Sequence, residues 1–197
     1  MVRFILPVKG FARGKTRLGL SQVQRSELAM AMLADCITAS LATDYGPVLV
    51  VSPDPAVRRF AELHGASSLH NPGRLNEAVA AGCGPGRNAA LLPDVPAVRA
   101  DELVMAVDSC ESGFVPDAAG TGSTMLFGQN LTPAFGPGSA RRHEQAGWHR
   151  LDIPLCGLRV DVDTWDDLLI ARRFGLGAAT AALLTRLEAD PPVRIDP

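Results

Sequence analysis

An α/β fold with a mostly parallel sheet and helices on both faces is what this sequence predicts, on three observations. Short, nearly continuous apolar runs alternate with stretches of helical periodicity, the pattern of strands covered on both sides. Capping residues and prolines stand where those helical stretches begin. There is no internal repeat and no linker, so the 197 residues read as one domain over 1–197, with about 188–197 as a frayed tail.

The first run, "VRFILPV" (2–8), is a buried strand followed by the basic loop "KGFARGKTRLGL". Residues 21–42 form a helix: Ser21 and Gln24 make a capping box, and Ala29, Leu33, Ile37 and Leu41 recur at helical spacing. "GPVLVVS" (46–52) is a second strand, and a short helix follows with Asp54 as cap, Pro55 at its first position and Gly65 at its end. "ASSLHN" is a weak strand, "GRLNEAVAAGCG" a short helix, and "NAALLPD" (88–94) a buried strand ending in Asp94. "RADELVMAVDS" is helical, "SGFVPD" (112–117) extended, and "AAGTGSTMLFG" a glycine-rich turn feeding another strand. "FGPGSARRHEQAG" (135–147) is a loop entering a helix with Ser139 as its N-cap, and residues 148–164 are largely extended. Thr164 and Asp167 form a second capping box, and "GAATAALLTRL" (177–187) is the last helix.

Composition excludes several classes of function. Apolar residues make up 47% and charged residues 20%, which is globular rather than disordered. A net charge of −2 argues against a general nucleic-acid or membrane-surface binder, so any anion site is a local grouping of basic residues. The first apolar run is too short for a signal peptide, and nothing approaches the roughly 20 apolar residues of a membrane span. Cys36, Cys83, Cys110 and Cys156 are scattered, so they read as reduced thiols of a cytoplasmic protein without a zinc signature.

Ligands of parallel sheets sit at the carboxyl ends of the strands, so the loops there carry the candidate chemistry. Lys9, Arg13, Lys15 and Arg17 follow the first strand, where they either clamp a polyphosphate or form a solvated basic loop. Asp94 ends its strand, and Asp161 and Asp163 are two apart in "RVDVDT". On extended chain, residues i and i+2 share a face, and two close carboxylates call for a hard divalent cation such as magnesium. The competing reading leaves Asp161 solvated and Asp163 at a turn. Thr121, Ser123 and Thr124 stand in a turn of small residues suited to phosphate or carboxylate oxygens, or to an ordinary β-turn. Gly136, Gly138 and Ser139 lead into a helix start whose amides and dipole favour an anion, here a small phosphorylated acid; an ordinary capped helix is the alternative. Asn71, Arg74 and Asn76 open another helix and either read a base or ribose edge or simply start it. The four histidines show no metal-ligand spacing.

Taken together, "LPVKGFARGKTRL", "LLPDVPAV" (91–98), "PDAAGTGSTML", "FGPGSARRHEQAG" and "LDIPLCGLRVDVDTWDDL" (151–168) make the sequence resemble the CofC/FbiD guanylyltransferases of coenzyme F420 biosynthesis. The pieces stand in family order and span nearly the whole chain. The resemblance implies a compact nucleotidyltransferase fold of GT-A type, and transfer of GMP from GTP to phosphoenolpyruvate, 2-phospho-L-lactate or 3-phosphoglycerate with release of pyrophosphate. It implies magnesium, as two ions, on Asp94, Asp161 and Asp163. It places the acceptor on Thr121, Gly136 and Ser139, and the GTP phosphates on Lys9, Lys15 and Arg17. Lys15 is thereby counted with the catalytic aspartates, Asn76 with the nucleotide side, and a homodimer is expected. Two departures lie on the nucleotide side: Arg74 precedes "LN" where members tend to be glycine-rich, and the stretch before the Asp94 strand is short.

Overall fold

A computed structural model describes residues 1–10 and 18–189. The expected residues Arg13, Lys15 and Arg17 lie outside the described residues. The described chain contains β1 (Val2–Pro7), α1 (Gln22–Leu41), β2 (Val48–Val51), α2 (Pro55–Leu63), β3 (Ser67–Leu69), α3 (Leu75–Gly82) and β4 (Arg87–Leu91). It continues with α4 (Ala100–Ser109), β5 (Gly113–Pro116), β6 (Ser123–Gly128), α5 (Ser139–Gln145), β7 (His149–Arg150), α6 (Trp165–Arg173) and α7 (Ala178–Ala189).

The strands form one sheet in the order β3-β2-β1-β4-β6-β5-β7. β1 pairs in parallel with β2 and β4, β2 with β3, and β5 with β7, while β6 runs antiparallel to both β4 and β5. The mostly parallel α/β fold is as the sequence predicts. Because β6 reverses, its start at Ser123 lies beside the carboxyl ends of β4 and β5. The carboxyl ends of β1 and β4 and the Thr121 turn therefore share one edge of the sheet, where the strand order changes direction.

Apolar residues alternate across the sheet with period two. Phe4, Leu6, Val50, Ala89, Leu91, Val115, Met125 and Phe127 face one side, against Leu33 and Ile37 of α1, Val57 and Ala61 of α2, and Leu103 and Val107 of α4. Ile5, Val51, Ala90, Phe114 and Leu126 face the other, against Ala78 and Val79 of α3 and against Phe135 and Ala140. Each fully buried Phe, Leu or Ile contributes about 1.5–3 kcal/mol, so both faces are strongly specified. A third cluster joins Leu28 and Met32 to Val160, Val162, Leu168 and Leu184, which seats α6 and α7 beside α1.

The caps stand where the sequence places them. Ser21 Oγ accepts from Gln24 N at 3.3 Å and Gln24 Oε1 accepts from Ser21 N at 3.0 Å. Thr164 and Asp167 repeat the arrangement, and the Asp167 carboxylate also accepts from Asp163 N at 3.1 Å. Asp54 accepts from Ala56 N at 2.8 Å, with Pro55 opening α2.

Two expectations are corrected. Residues 148–164 are not largely extended: β7 covers only His149–Arg150, and the rest is loop and turn. That stretch follows the end of the sheet and packs on side chains instead of pairing. Nor does Ser139 cap α5: Gly138, at φ 71° in the left-handed region, holds the N-cap, and Ser139 is the first helical residue. The tight turn requires a positive φ, which glycine adopts without strain, and this shifts the helix start by one residue.

Candidate active site

Three loops meet at the carboxyl edge of the sheet. The first leaves β4 through Leu92, whose N–H is bonded to Thr124 O, and carries Asp94 three residues beyond the strand end. The second carries Asp161 and is tied to the first by Val162 N donating to Asp94 O at 2.9 Å. Val160 and Val162 are buried while Asp161 is half-buried and Asp163 exposed. The two-residue alternation expected of an extended segment thus holds without strand pairing, because the valines lock inward and turn the aspartates outward.

Asp94 and Asp161 are brought together electrostatically. Burial, and next the nearby Asp94 carboxylate, push the pKa of Asp161 up to about 6, with smaller contributions from Asp117 and Asp163. Of the expected trio, Asp163 perturbs Asp161 less than Asp94 does. Among the described residues no three His, Cys, Asp or Glu side chains converge as a metal cage. The donors therefore amount to a carboxylate pair with a third carboxylate at the margin. That set fits magnesium, which is held by one or two carboxylates together with substrate phosphates. A half-buried carboxylate raised by a like charge is also where a cation relieves the most repulsion.

The third loop is the glycine-rich turn after β5. Asp117 accepts from Thr121 N at 2.9 Å and from Gly122 N at 2.7 Å, closing the turn on its own side chain. A Cβ on Gly122 would overlap the Asp117 carboxylate, so glycine is needed there for close approach. Thr121 is exposed. Arg159, two residues before Asp161, donates to Asp117 O at 3.3 Å and joins this turn to the aspartate loop.

Beside the turn lies the Ala134–Gly138 loop. Gly136 has φ 119° and, like Gly138, is exposed. Thr121 and the loop are fastened together by Ala140 N donating to Thr121 O at 3.1 Å. The helix start itself is less available to an anion than its sequence suggests. Ser139 N is bonded to Gly136 O at 3.0 Å, Ala140 N to Thr121 O, and Ser139 is buried at 1% exposure. First-turn amides already satisfied by carbonyls cannot also donate fully to a ligand.

Asn76 has a different task from the nucleotide contact expected of it. Its Oδ1 accepts from Phe135 N at 2.9 Å and its Nδ2 donates to Phe135 O at 3.2 Å, so both ends of the amide are engaged by the loop backbone. Lys9 is exposed just beyond β1 and lines a small cleft with Pro7, Val8, Pro53, Gly73 and Leu75. The cleft lies at the carboxyl ends of β1 and β2, with the start of α3 as its wall.

Three residues at the site escape sequence reasoning. Asp117 is legible in retrospect, since Asp followed by Gly-Thr-Gly is an Asx-turn signal. Arg159 and His143 leave no such signal. His143 is fully buried; its Nε2 accepts from Ala134 N at 3.1 Å, and its Nδ1 lies 3.0 Å from Ser123 Oγ. Because Nε2 accepts an N–H, Nδ1 carries the proton and donates to Ser123. Burial, and then the neighbouring Arg142 charge, lower its pKa to about 4, keeping the ring neutral.

Known proteins resemble this chain in sequence and in fold. The profile of the family described as "Guanylyl transferase CofC like" matches residues 2–146. A phosphoenolpyruvate guanylyltransferase of Streptomyces scabiei is 39% identical, covering 93% of this chain and 95% of its own. One of Geodermatophilus obscurus is 41% identical, covering 91% and 92%. Among solved structures, a nucleotidyl transferase from Methanothermobacter superposes with TM-score 0.61 at 16% identity, over 88% of this chain and 97% of its own. A cytidylyltransferase from Leptospira borgpetersenii gives 0.59 at 14% identity, over 100% and 98%. At such identities the two structures speak for the fold alone.

Proposed function

The chain belongs to the CofC-like guanylyl transferase family, and from that premise we propose that it transfers GMP from GTP to phosphoenolpyruvate, releasing pyrophosphate. The product is enolpyruvyl-diphospho-5'-guanosine, as a precursor for coenzyme F420. The observation that carries this reading is the convergence of Asp94 and Asp161 at the sheet edge, beside the Thr121 turn and the Gly136 loop, in a chain whose curated relatives are named phosphoenolpyruvate guanylyltransferase.

In the reaction an oxygen of the acceptor's phosphate forms a bond to the α-phosphorus of GTP. The bond from that phosphorus to the oxygen bridging the α- and β-phosphates breaks, and pyrophosphate departs with the electron pair. The acceptor's second phosphate pKa is near 6, so the nucleophile is already ionised at neutral pH and no general base is required. Magnesium, when bound by Asp94 and Asp161 with Asp163 beside them, supplies charge neutralisation of the polyphosphate. Asp94 and Asp161 fix where that charge is concentrated, since their loops are joined through Val162 N. Lys9, exposed just beyond β1, is the described cation that would stabilise charge on the departing pyrophosphate. Thr121 and the exposed Gly136 backbone receive the acid and hold its phosphate in line, with Ser139 buried behind them as the first residue of α5.

The test is pyrophosphate release with GTP, with and without magnesium, across phosphoenolpyruvate, 2-phospho-L-lactate and 3-phosphoglycerate. Magnesium-dependent release with phosphoenolpyruvate as the best acceptor is expected, and no release with any of the three overturns the reading. Thr121→Val, which keeps shape and removes only the hydroxyl, is expected to raise the acceptor KM about tenfold, the value of one charge-assisted hydrogen bond, with the GTP KM unchanged. Initial rates at varied acceptor and fixed saturating GTP check this.

A further inference from the structure

We propose that Asn76 and His143 are positioning residues for the acceptor, which set the shape of the Ala134–Gly138 loop and its distance from the Thr121 turn. The proposal rests on the guanylyl transfer reading above for the identity of the ligand, and on the loop's own hydrogen bonds for the rest.

Short glycine-rich loops do not hold one shape by themselves, because glycine has the most conformational freedom to lose. Here every carbonyl from Ala134 to Pro137 has a partner. Arg142 donates to Ala134 O and to Pro137 O, Asn76 to Phe135 O, and Ser139 N to Gly136 O. The loop N–H groups of Ala134 and Phe135 are taken by His143 Nε2 and Asn76 Oδ1. Two of the three side chains involved come from α5, directly after the loop. Asn76 comes from α3, a separate element on the same face of the sheet, and bridges a sequence separation of 59 residues. Its paired bonds to Phe135 imitate one rung of a β-ladder, which fixes both the direction and the height of the backbone at that residue.

His143 does something the other two do not. Its ring is wedged between Phe114 and Phe135, with ring centres 5.5 and 5.3 Å away. One nitrogen holds Ala134 and the other holds Ser123, the residue that starts β6 immediately after Thr121 and Gly122. A single rigid ring therefore sets the separation between the two walls on which the acceptor is received. Leu75, the neighbour of Asn76, lines the cleft at the ends of β1 and β2 where Lys9 stands. Asn76 consequently references the acceptor loop to the nucleotide side, as in-line attack demands. A displacement of about 1 Å at such a position costs on the order of a hundredfold in rate.

The experiment compares Asn76→Ala, His143→Phe and His143→Gln with the wild type in the full chain. The readouts are the KM for phosphoenolpyruvate, the KM for GTP, kcat, and amide exchange at Ala134 and Phe135. His143→Phe keeps a ring between Phe114 and Phe135 and removes both bonds, whereas His143→Gln retains an acceptor for Ala134 N–H. Asn76→Ala and His143→Phe are expected to raise the acceptor KM about tenfold or more with the GTP KM within about twofold, and His143→Gln to recover part of the loss. Faster exchange at Ala134 or Phe135, whichever lost its partner, accompanies the change. Equal rises in both KM values, or an unchanged acceptor KM in a folded variant, overturn the proposal. If His143→Phe does not fold, Asn76→Ala and His143→Gln decide it. A wild type that shows no turnover defeats the proposed reaction, while protection of the two amides in the wild type and its loss in the variants still separately decides whether these residues shape the loop.

Discussion

Replacing Asp161 by asparagine is expected to lower turnover by at least about a thousandfold, as removal of a charge that organises the reacting groups does, and to raise the melting temperature of the metal-free protein at neutral pH. The two effects share one cause. Asp161 is half-buried beside Asp94, and burial with that neighbouring charge raises its pKa to about 6. An aspartate near 4 when unfolded binds its proton more tightly in the folded state, so the fold loses stability as pH rises from about 4 through about 6. Above that window the ionised group is a standing destabilisation, which the neutral amide removes. The gain in melting temperature is therefore largest at pH 7 to 8 and fades toward pH 4. Magnesium should raise the melting temperature of the wild type at pH 7.5 and leave Asp161→Asn nearly unmoved. Asp163→Asn should cost less activity than Asp161→Asn, because Asp163 is exposed and perturbs Asp161 less than Asp94 or Asp117 does. Thermal melts across pH, with and without magnesium, and pyrophosphate release check each part. Near-normal turnover in Asp161→Asn would remove the metal role from this residue, and a lowered melting temperature would show that its carboxylate is held by attractive partners.

What could be read from the sequence were the features that depend on near neighbours. Capping at Ser21, Asp54 and Thr164 is decided within three residues, and the apolar runs of β1, β2 and β4 declare burial by composition alone. Around Asp161 and Asp163 the burial alternates as the sequence suggests, with Val160 and Val162 buried and the aspartates more accessible. The extended reading of residues 148–164 failed for a non-local reason. Val160 and Val162 are inward because they meet Leu28, Leu168 and Leu184, residues far apart in the chain, and strand pairing is not needed to bury them. Asn76 and His143 were equally hidden. Their partners, Phe135 N and O in one case and Ala134 N with Ser123 Oγ in the other, are backbone groups and a hydroxyl, which leave no compositional trace. The same holds for α5, where a single left-handed glycine moved the cap from Ser139 to Gly138.

Gly157→Ala is expected to destabilise the protein by about 3 kcal/mol or more, the upper end of overpacking, and to abolish turnover in whatever fraction folds. Residue 157 is buried, and a Cβ there would overlap the Ala97 carbonyl oxygen and come within 2.8 Å of Glu102 Oε2. Gly157 N donates to Glu102 Oε1 at 2.8 Å, so the backbone cannot retreat without leaving a buried carboxylate, 8% exposed, short of a partner. The consequence for activity follows from what the neighbouring segment carries. Residues 94–98 are a docking strip: Asp94 O receives Val162 N, Pro96 O receives Gly177 N, and Ala97 packs against Gly157. The loop bearing Asp161 is thus anchored on the same short segment that presents Asp94, at Gly157 and again at Val162. Pushing the chain away at Gly157 tilts the loop about Val162 and separates the two carboxylates that must meet. Cys156→Ala is the control, since Cys156 is exposed and its truncation should stay within about 0.5 kcal/mol. Denaturant midpoints and pyrophosphate release on both variants separate the outcomes. A Gly157→Ala protein as stable as Cys156→Ala would mean that the loop has room to shift, and full activity in that protein would mean that Asp94 and Asp161 need not be held from a common strip.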